Sequence, residues 1–150
     1  PCNGLGNIAK FLESKGKICF TSDIEDYGRG DTLINFLDLK SVGDAECIVF
    51  NPPFLLTEKF IDHALELCDH LIMFNRANVL ETHSRSLKHS DGKWPLKTFY
   101  SFANRVSGTK GVEQEPTANA AWHGWFEYDK HYHGQPNIQW LFVHKEKSGG

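Results

Sequence analysis

Three short constellations in this 150-residue sequence offer groups suited to chemistry. The most specific is Asn51-Pro52-Pro53-Phe54, which directly follows a run of apolar residues. Two prolines fix an extended, rigid backbone and remove two N–H donors. Carbonyl oxygens are then left without a local partner, beside an amide side chain and an aromatic ring. Such a grouping suits an acceptor site for an amine, capped by a stacking ring; the plainer alternative is a strand-ending turn. The second constellation is Pro1-Cys2-Asn3-Gly4-Leu5-Gly6, just ahead of a helical pattern. Its glycines let the backbone pass close to a ligand, with amides and a helix N-terminus facing it, although a lone Gly-x-Gly also makes an ordinary turn. The third is Asp23, 17 residues after Gly6. In nucleotide-type α/β sites an acidic residue near that spacing accepts both ribose hydroxyls, whereas the polar run 22–26 equally suits a surface turn.

Those groups need elements to hold them. Ile8, Phe11 and Leu12 form a short helical stripe over 7–15, with Gly16 as its stop. Residues 17–22 predict a buried strand ending at Asp23, and 46–50 a second strand ended by Asn51-Pro52-Pro53. Thr57 predicts a helix N-cap with Glu58 in the first turn, and Phe60, Ile61, Ala64, Leu65 and Cys68 share one face of the helix that follows. A third strand is expected at 71–74 and a weaker helix at 78–88. Short apolar strands alternating with helices indicate an α/β domain built on a parallel sheet. The ending differs: 97–104, 123–129 and 138–143 read as strands, and His133-Gly134-Gln135-Pro136 predicts an antiparallel hairpin joining the last two. The late aromatics, Trp122, Trp125, Phe126, Tyr128, Trp140 and Phe142, alternate as sheet-packing residues do. The stretch 106–119 is long and polar, which in a compact domain marks a functional loop.

Composition bounds the possibilities. With 40% hydrophobic and 23% charged residues, the chain has the makeup of one folded domain spanning 1–150. No apolar run approaches the roughly 18 residues of a membrane span, and the start does not resemble a signal peptide, so the expected compartment is the cytoplasm. Cys2, Cys19, Cys47 and Cys68 form no Cys-x-x-Cys pair and are expected to be reduced and mostly buried. The net charge of −3 is unevenly spread: residues 76–110 carry seven basic side chains against two acidic ones. That basic stretch, with Arg76, Arg85 and Lys88 as its leading candidates, can contact phosphate or simply form a solvated face. Among His123, His131 and His133 near the expected hairpin, two histidines one residue apart could share a metal, but a polar turn flanks them, and they are expected to be solvated with no metal bound.

Glycine turn, acidic strand end and Asn-Pro-Pro-aromatic, in that order, form the series found in amino-methyltransferases. The chain resembles class I S-adenosylmethionine-dependent methyltransferases and looks most like the small phage-type adenine-specific DNA methyltransferases. Pro-x-x-Gly-x-Gly at 1–6, Ser-Asp-Ile-x-Asp-Tyr-Gly at 22–28, Asn-Pro-Pro-Phe with its following helix, and Trp-Phe-x-x-Asp at 125–129 carry the likeness, which covers essentially the whole chain. The resemblance implies a Rossmann-like sheet, mostly parallel with antiparallel C-terminal strands, and helices on both faces. It implies that Gly4 and Gly6 face the cofactor's methionine part, that Pro1 and Asn3 also belong to the cofactor site, that Asp23 binds the ribose and that Ile24 packs on the cofactor's adenine. Asn35 and Phe36 fall where the family usually has Asp-Phe at the adenine edge. The family's first strand would precede Pro1, so that strand is expected to be missing, with oligomerisation as one consequence.

The implied reaction is methyl transfer to the exocyclic amine of adenine in DNA. Asn51 and the Pro52 carbonyl would accept its two N–H bonds, Pro53 would stiffen the turn, and Phe54 would stack on a base swung out of the duplex. The alternatives are methylation of another amine, in RNA adenine or protein glutamine, and a non-catalytic binding module on the same fold.

Overall fold

The computed structural model of the chain describes residues 1–29, 31–103 and 121–142. In chain order these form α1 (Asn7–Ser14), β1 (Ser22–Asp23), β2 (Thr32–Leu33), β3 (Ile48–Phe50), α2 (Thr57–Leu67), β4 (His70–Arg76), α3 (His83–Ser90), β5 (Leu96–Phe102), β6 (His123–Asp129) and β7 (Asn137–Leu141). Single 3₁₀ turns occupy Phe36–Asp38, Phe54–Leu56 and Ala77–Leu80. The result is an α/β structure with a five-stranded mixed sheet of order β3-β4-β6-β5-β7 and a separate parallel pair, β1-β2. β3 and β4 run parallel, β6 lies antiparallel between β4 and β5, and β7 runs parallel to β5.

The sheet follows from two-residue alternation. Along β4, Leu71, Met73 and Asn75 are buried, whereas His70, Ile72 and Phe74 between them are half-buried. The buried face joins Ile48 and Phe50 of β3, Phe99 of β5, and Phe126 and Tyr128 of β6 in one core with Phe60, Ile61, Ala64 and Leu65 of α2. Each fully buried Leu, Ile, Phe or Met side chain of this core contributes roughly 1.5–3 kcal/mol. β6 is the middle strand, and Gly124 permits it: any Cβ there would collide with the Phe99 ring and the Tyr100 carbonyl.

Several sequence expectations need correction. Residues 17–21 are not a buried strand; only Ser22–Asp23 pairs, with β2, and Ile18 and Phe20 stand 88% and 86% exposed. Among the described residues, backbone hydrogen bonds reach only its two ends, from Lys17 to Leu12 and from Thr32 to Thr21, and the Cys19 thiol alone touches α1, so no continuous ladder holds the stretch in a pleat. β1 and β3 are not paired with each other. The last two strands do not form a hairpin, because β5 sits between them and β7 pairs with β5 instead. The expected helix at 78–88 is a 3₁₀ turn followed by α3, since Thr82 adopts a positive φ of 75° and caps α3 by accepting from the Arg85 N–H. Thr57 starts α2 without capping it.

Phe126 and Tyr128 pack in the sheet as expected, but Trp122, Trp140 and Phe142 are exposed. All four cysteines are free thiols, and burial pushes that of Cys47 up to about 12. No helix among the described residues is long and apolar enough to cross a membrane. The stretch 106–119 lies outside the described residues.

Candidate active site

β3 ends at Phe50, whose fully buried ring sits 6.1 Å from Phe36 and 6.4 Å from Phe60. This anchor fixes where the chain leaves the sheet and where Asn51-Pro52-Pro53-Phe54 begins. Pro52 is buried and Pro53 is exposed. The Leu56 N–H donates to the Pro53 carbonyl at 2.9 Å, and the Thr57 hydroxyl lies 3.5 Å from the same oxygen. Thr57 in turn accepts an N–H from Asn75 Nδ2 at 3.0 Å. Asn75 is 1% exposed, and its Oδ1 accepts the Arg76 N–H at 2.7 Å. The turn after β3 is thereby tied to the end of β4. Among the described residues, neither the half-buried Asn51 side chain nor the carbonyl of the buried Pro52 hydrogen-bonds within the protein, so the fold engages neither acceptor.

Beside these acceptors stands an aromatic cluster. Phe54 is 41% exposed, and the Arg76 guanidinium lies 4.1 Å from its ring centroid. The His123 ring is 6.3 Å from Phe54 and stacks on Phe74 at 5.3 Å and 6°. His123 is a buried residue, not the solvated one expected, because Phe74 and Phe54 enclose it at the start of β6. Its Nδ1 lies 2.8 Å from the Ala121 carbonyl, which can only accept, so Nδ1 carries the proton. Burial holds its pKa below the ordinary imidazole value; the Ala121 hydrogen bond opposes this and the Arg76 charge adds to it. His131 and His133 are exposed, and no cluster of metal-binding side chains occurs among the described residues.

The glycine turn forms as expected. Gly4 and Gly6 have φ of 51° and 76°, and α1 starts at Asn7. A Cβ at Gly6 would push aside the flexible Arg29 guanidinium, and the positive φ there is one that residues with a Cβ rarely adopt. Asp23 is buried, with Oδ2 accepting the Gly4 N–H at 2.8 Å and Oδ1 the Glu25 N–H at 3.1 Å. Asp31 joins the same turn: its Oδ1 accepts from Asn3 Nδ2 at 2.8 Å and from the Thr21 hydroxyl at 2.5 Å. The other oxygen of Asp31 is buried without a partner among the described residues. A carboxylate offers about four acceptor positions, so Asp23 keeps free capacity while also bracing the turn. Spare acceptors at a left-handed glycine turn fit the hydroxyls of the nucleoside cofactor that the resemblance implies. Pro1 and Asn3 are half-buried beside them and Ile24 is exposed.

The adenine-edge expectation changes in detail. The Phe36 side chain belongs to the core, packed 5.1 Å from both Phe60 and His63. Asn35 Oδ1 accepts the Leu37 N–H at 3.0 Å and caps the 3₁₀ turn. Only the backbone of this pair and the exposed face of Asn35 can meet a ligand.

The basic candidates divide. Arg76 is exposed at the aromatic cluster. Arg85 and Lys88 instead clamp Glu58 at 2.8 and 2.9 Å, Arg85 also donates to the Asn78 carbonyl at 3.1 Å, and Lys88 lies over Trp94. Their charge is already engaged. Asn75, Arg29 and Asp31 escaped the sequence reading, and His123 was weighed there only as a metal ligand. The usable signals were a polar residue inside the apolar run Leu-Ile-Met-Phe-Asn at 71–75 and a histidine opening an aromatic strand. No known family model matches the chain, and no curated protein resembles it at a significant level.

Proposed function

We propose that the chain is an S-adenosylmethionine-dependent methyltransferase domain that acts on the exocyclic amine of adenine in DNA. The observation that carries this proposal is the turn after β3, where two acceptors unused by the fold stand next to a partly exposed ring. The antiparallel strand β6 between β4 and β5 supports the class I methyltransferase architecture.

An adenine amine is a poor nucleophile because its lone pair is delocalised into the ring. The Asn51 side-chain oxygen and the Pro52 carbonyl each accept one N–H of that amine. Their placement favours a pyramidal nitrogen with its lone pair directed away from both. Phe54 stacks on the base, and Arg76 supplies positive charge for the phosphate of the same nucleotide. Gly4, Gly6, Asp23, Asp31 and Ile24 hold the cofactor. The bound cofactor supplies an electrophilic methyl group on sulfur. Alignment of the two reactants accounts for several kcal/mol of the barrier on the usual proximity estimate.

Calorimetric titration with S-adenosylmethionine tests the cofactor half. Wild type and Asn51→Ala are expected to bind alike, and Asp23→Ala to lose binding. Absence of heat with all three proteins would remove the cofactor from the account.

A further inference from the structure

We propose that His123 is a catalytic residue of this site: once the amine nitrogen has bonded the methyl carbon and no longer shares its electron pair with the ring, its Nε2 takes the proton that the amine loses, a role that holds only if the site is an amine methyltransferase. His123 is 5% exposed, yet Nε2 has no hydrogen-bond partner among the described residues. Because Nδ1 donates to the Ala121 carbonyl, Nε2 bears a bare lone pair. Burying an unmet acceptor is costly, and nothing in the packing on Phe74 requires it; an apolar ring would stack there equally well. The unmet atom belongs to a ring 6.3 Å from Phe54, the residue on which the target base stacks.

The imidazole is kept in the state that can receive a proton. Burial disfavours its cation, and Arg76 on the neighbouring strand repels it. Arg76 is the one charged side chain that acts on His123 among the described residues; Phe54 and Phe74 are uncharged. In the reaction the amine nitrogen gains a bond to the methyl carbon and loses one N–H bond. The carbon–sulfur bond of the sulfonium donor breaks, and its electron pair stays on the sulfur of a neutral thioether. The proton passes to Nε2, and Arg76 hastens its onward release to water.

The test uses the full chain with 15N-labelled histidine, an adenine-containing duplex oligonucleotide as probe, and the variants His123→Phe and His123→Gln. In the free protein, Nε2 should show the resonance of a bare nitrogen, and the oligonucleotide without cofactor should move it. His123→Phe should keep cofactor affinity and lose roughly 100-fold in kcat. Both variants should lose the fall in rate that wild type shows as pH drops through the His123 pKa. If His123→Phe fails to fold, His123→Gln decides, because its amide fills the space without titrating. A protonated Nε2 in the free protein, or variants with wild-type rates and pH profile, would overturn the role of His123 while methyl transfer stands. A wild-type protein that methylates no amine would overturn both.

Discussion

Asn75 donates from Nδ2 to the Thr57 hydroxyl across 3.0 Å, and that hydroxyl lies 3.5 Å from the Pro53 carbonyl. A residue at the end of β4 thus braces the turn that follows β3. The hydroxyl takes up Pro53 and leaves Pro52, one residue earlier, unbonded among the described residues. Thr57→Val preserves shape but strands the buried Asn75 amide. The expected cost is about 1–3 kcal/mol, read as a lower urea midpoint with an unchanged slope. An unchanged midpoint would show that the bond contributes nothing to holding the turn.

Stability should also depend on pH through two histidines. Burial holds His89 and His123 below the ordinary value of 6.5. For His89 its bond to the Arg85 carbonyl opposes the shift and the Arg85 charge adds to it. In the unfolded chain both bind protons near 6.5, so between that pH and their folded values the unfolded state holds more protons. Stability is therefore complete above about 6.5 and declines as pH falls towards the folded values. Urea midpoints at about pH 7.5 and about pH 5.5 should differ in that direction, and His89→Gln should flatten the difference. A midpoint that rises on acidification would contradict both assignments.

The sequence disclosed elements whose signal is local. α2 shows its stripe of Phe60, Ile61, Ala64 and Leu65, and β3 its apolar run closed by two prolines; both lie where periodicity placed them. The Asn51–Phe54 turn and the Gly4–Gly6 turn were visible for the same reason, since proline and glycine act on their own backbone. Pairing was not legible. β6 and β7 look like hairpin strands from their connecting turn, yet which strand lies between them is decided by packing against β5. Nor does a basic residue announce its partner: Lys88 and Arg76 look alike in sequence, and only the fold brings Glu58 to one and Phe54 to the other.

That division predicts two kinds of behaviour towards DNA. Arg76→Ala should weaken oligonucleotide binding and lower the slope of log affinity against log salt by about one contact. Arg85→Ala and Lys88→Ala should leave the slope unchanged and each lower stability by about 0.2–1 kcal/mol through the partly exposed Glu58 pair. Fluorescence anisotropy across a salt series reads the slope. A slope lowered by Lys88→Ala but not by Arg76→Ala would reverse the assignment.

Nucleoside mass spectrometry of adenine-containing duplex DNA incubated with the protein and S-adenosylmethionine reads the proposed methyl transfer itself. N6-methylated adenine is expected with the wild-type chain, none with Asn51→Ala, and a strongly reduced yield with Phe54→Ala. Unmodified adenine with a wild-type protein shown to bind both DNA and cofactor, or equal yields from wild type and Asn51→Ala, would contradict it.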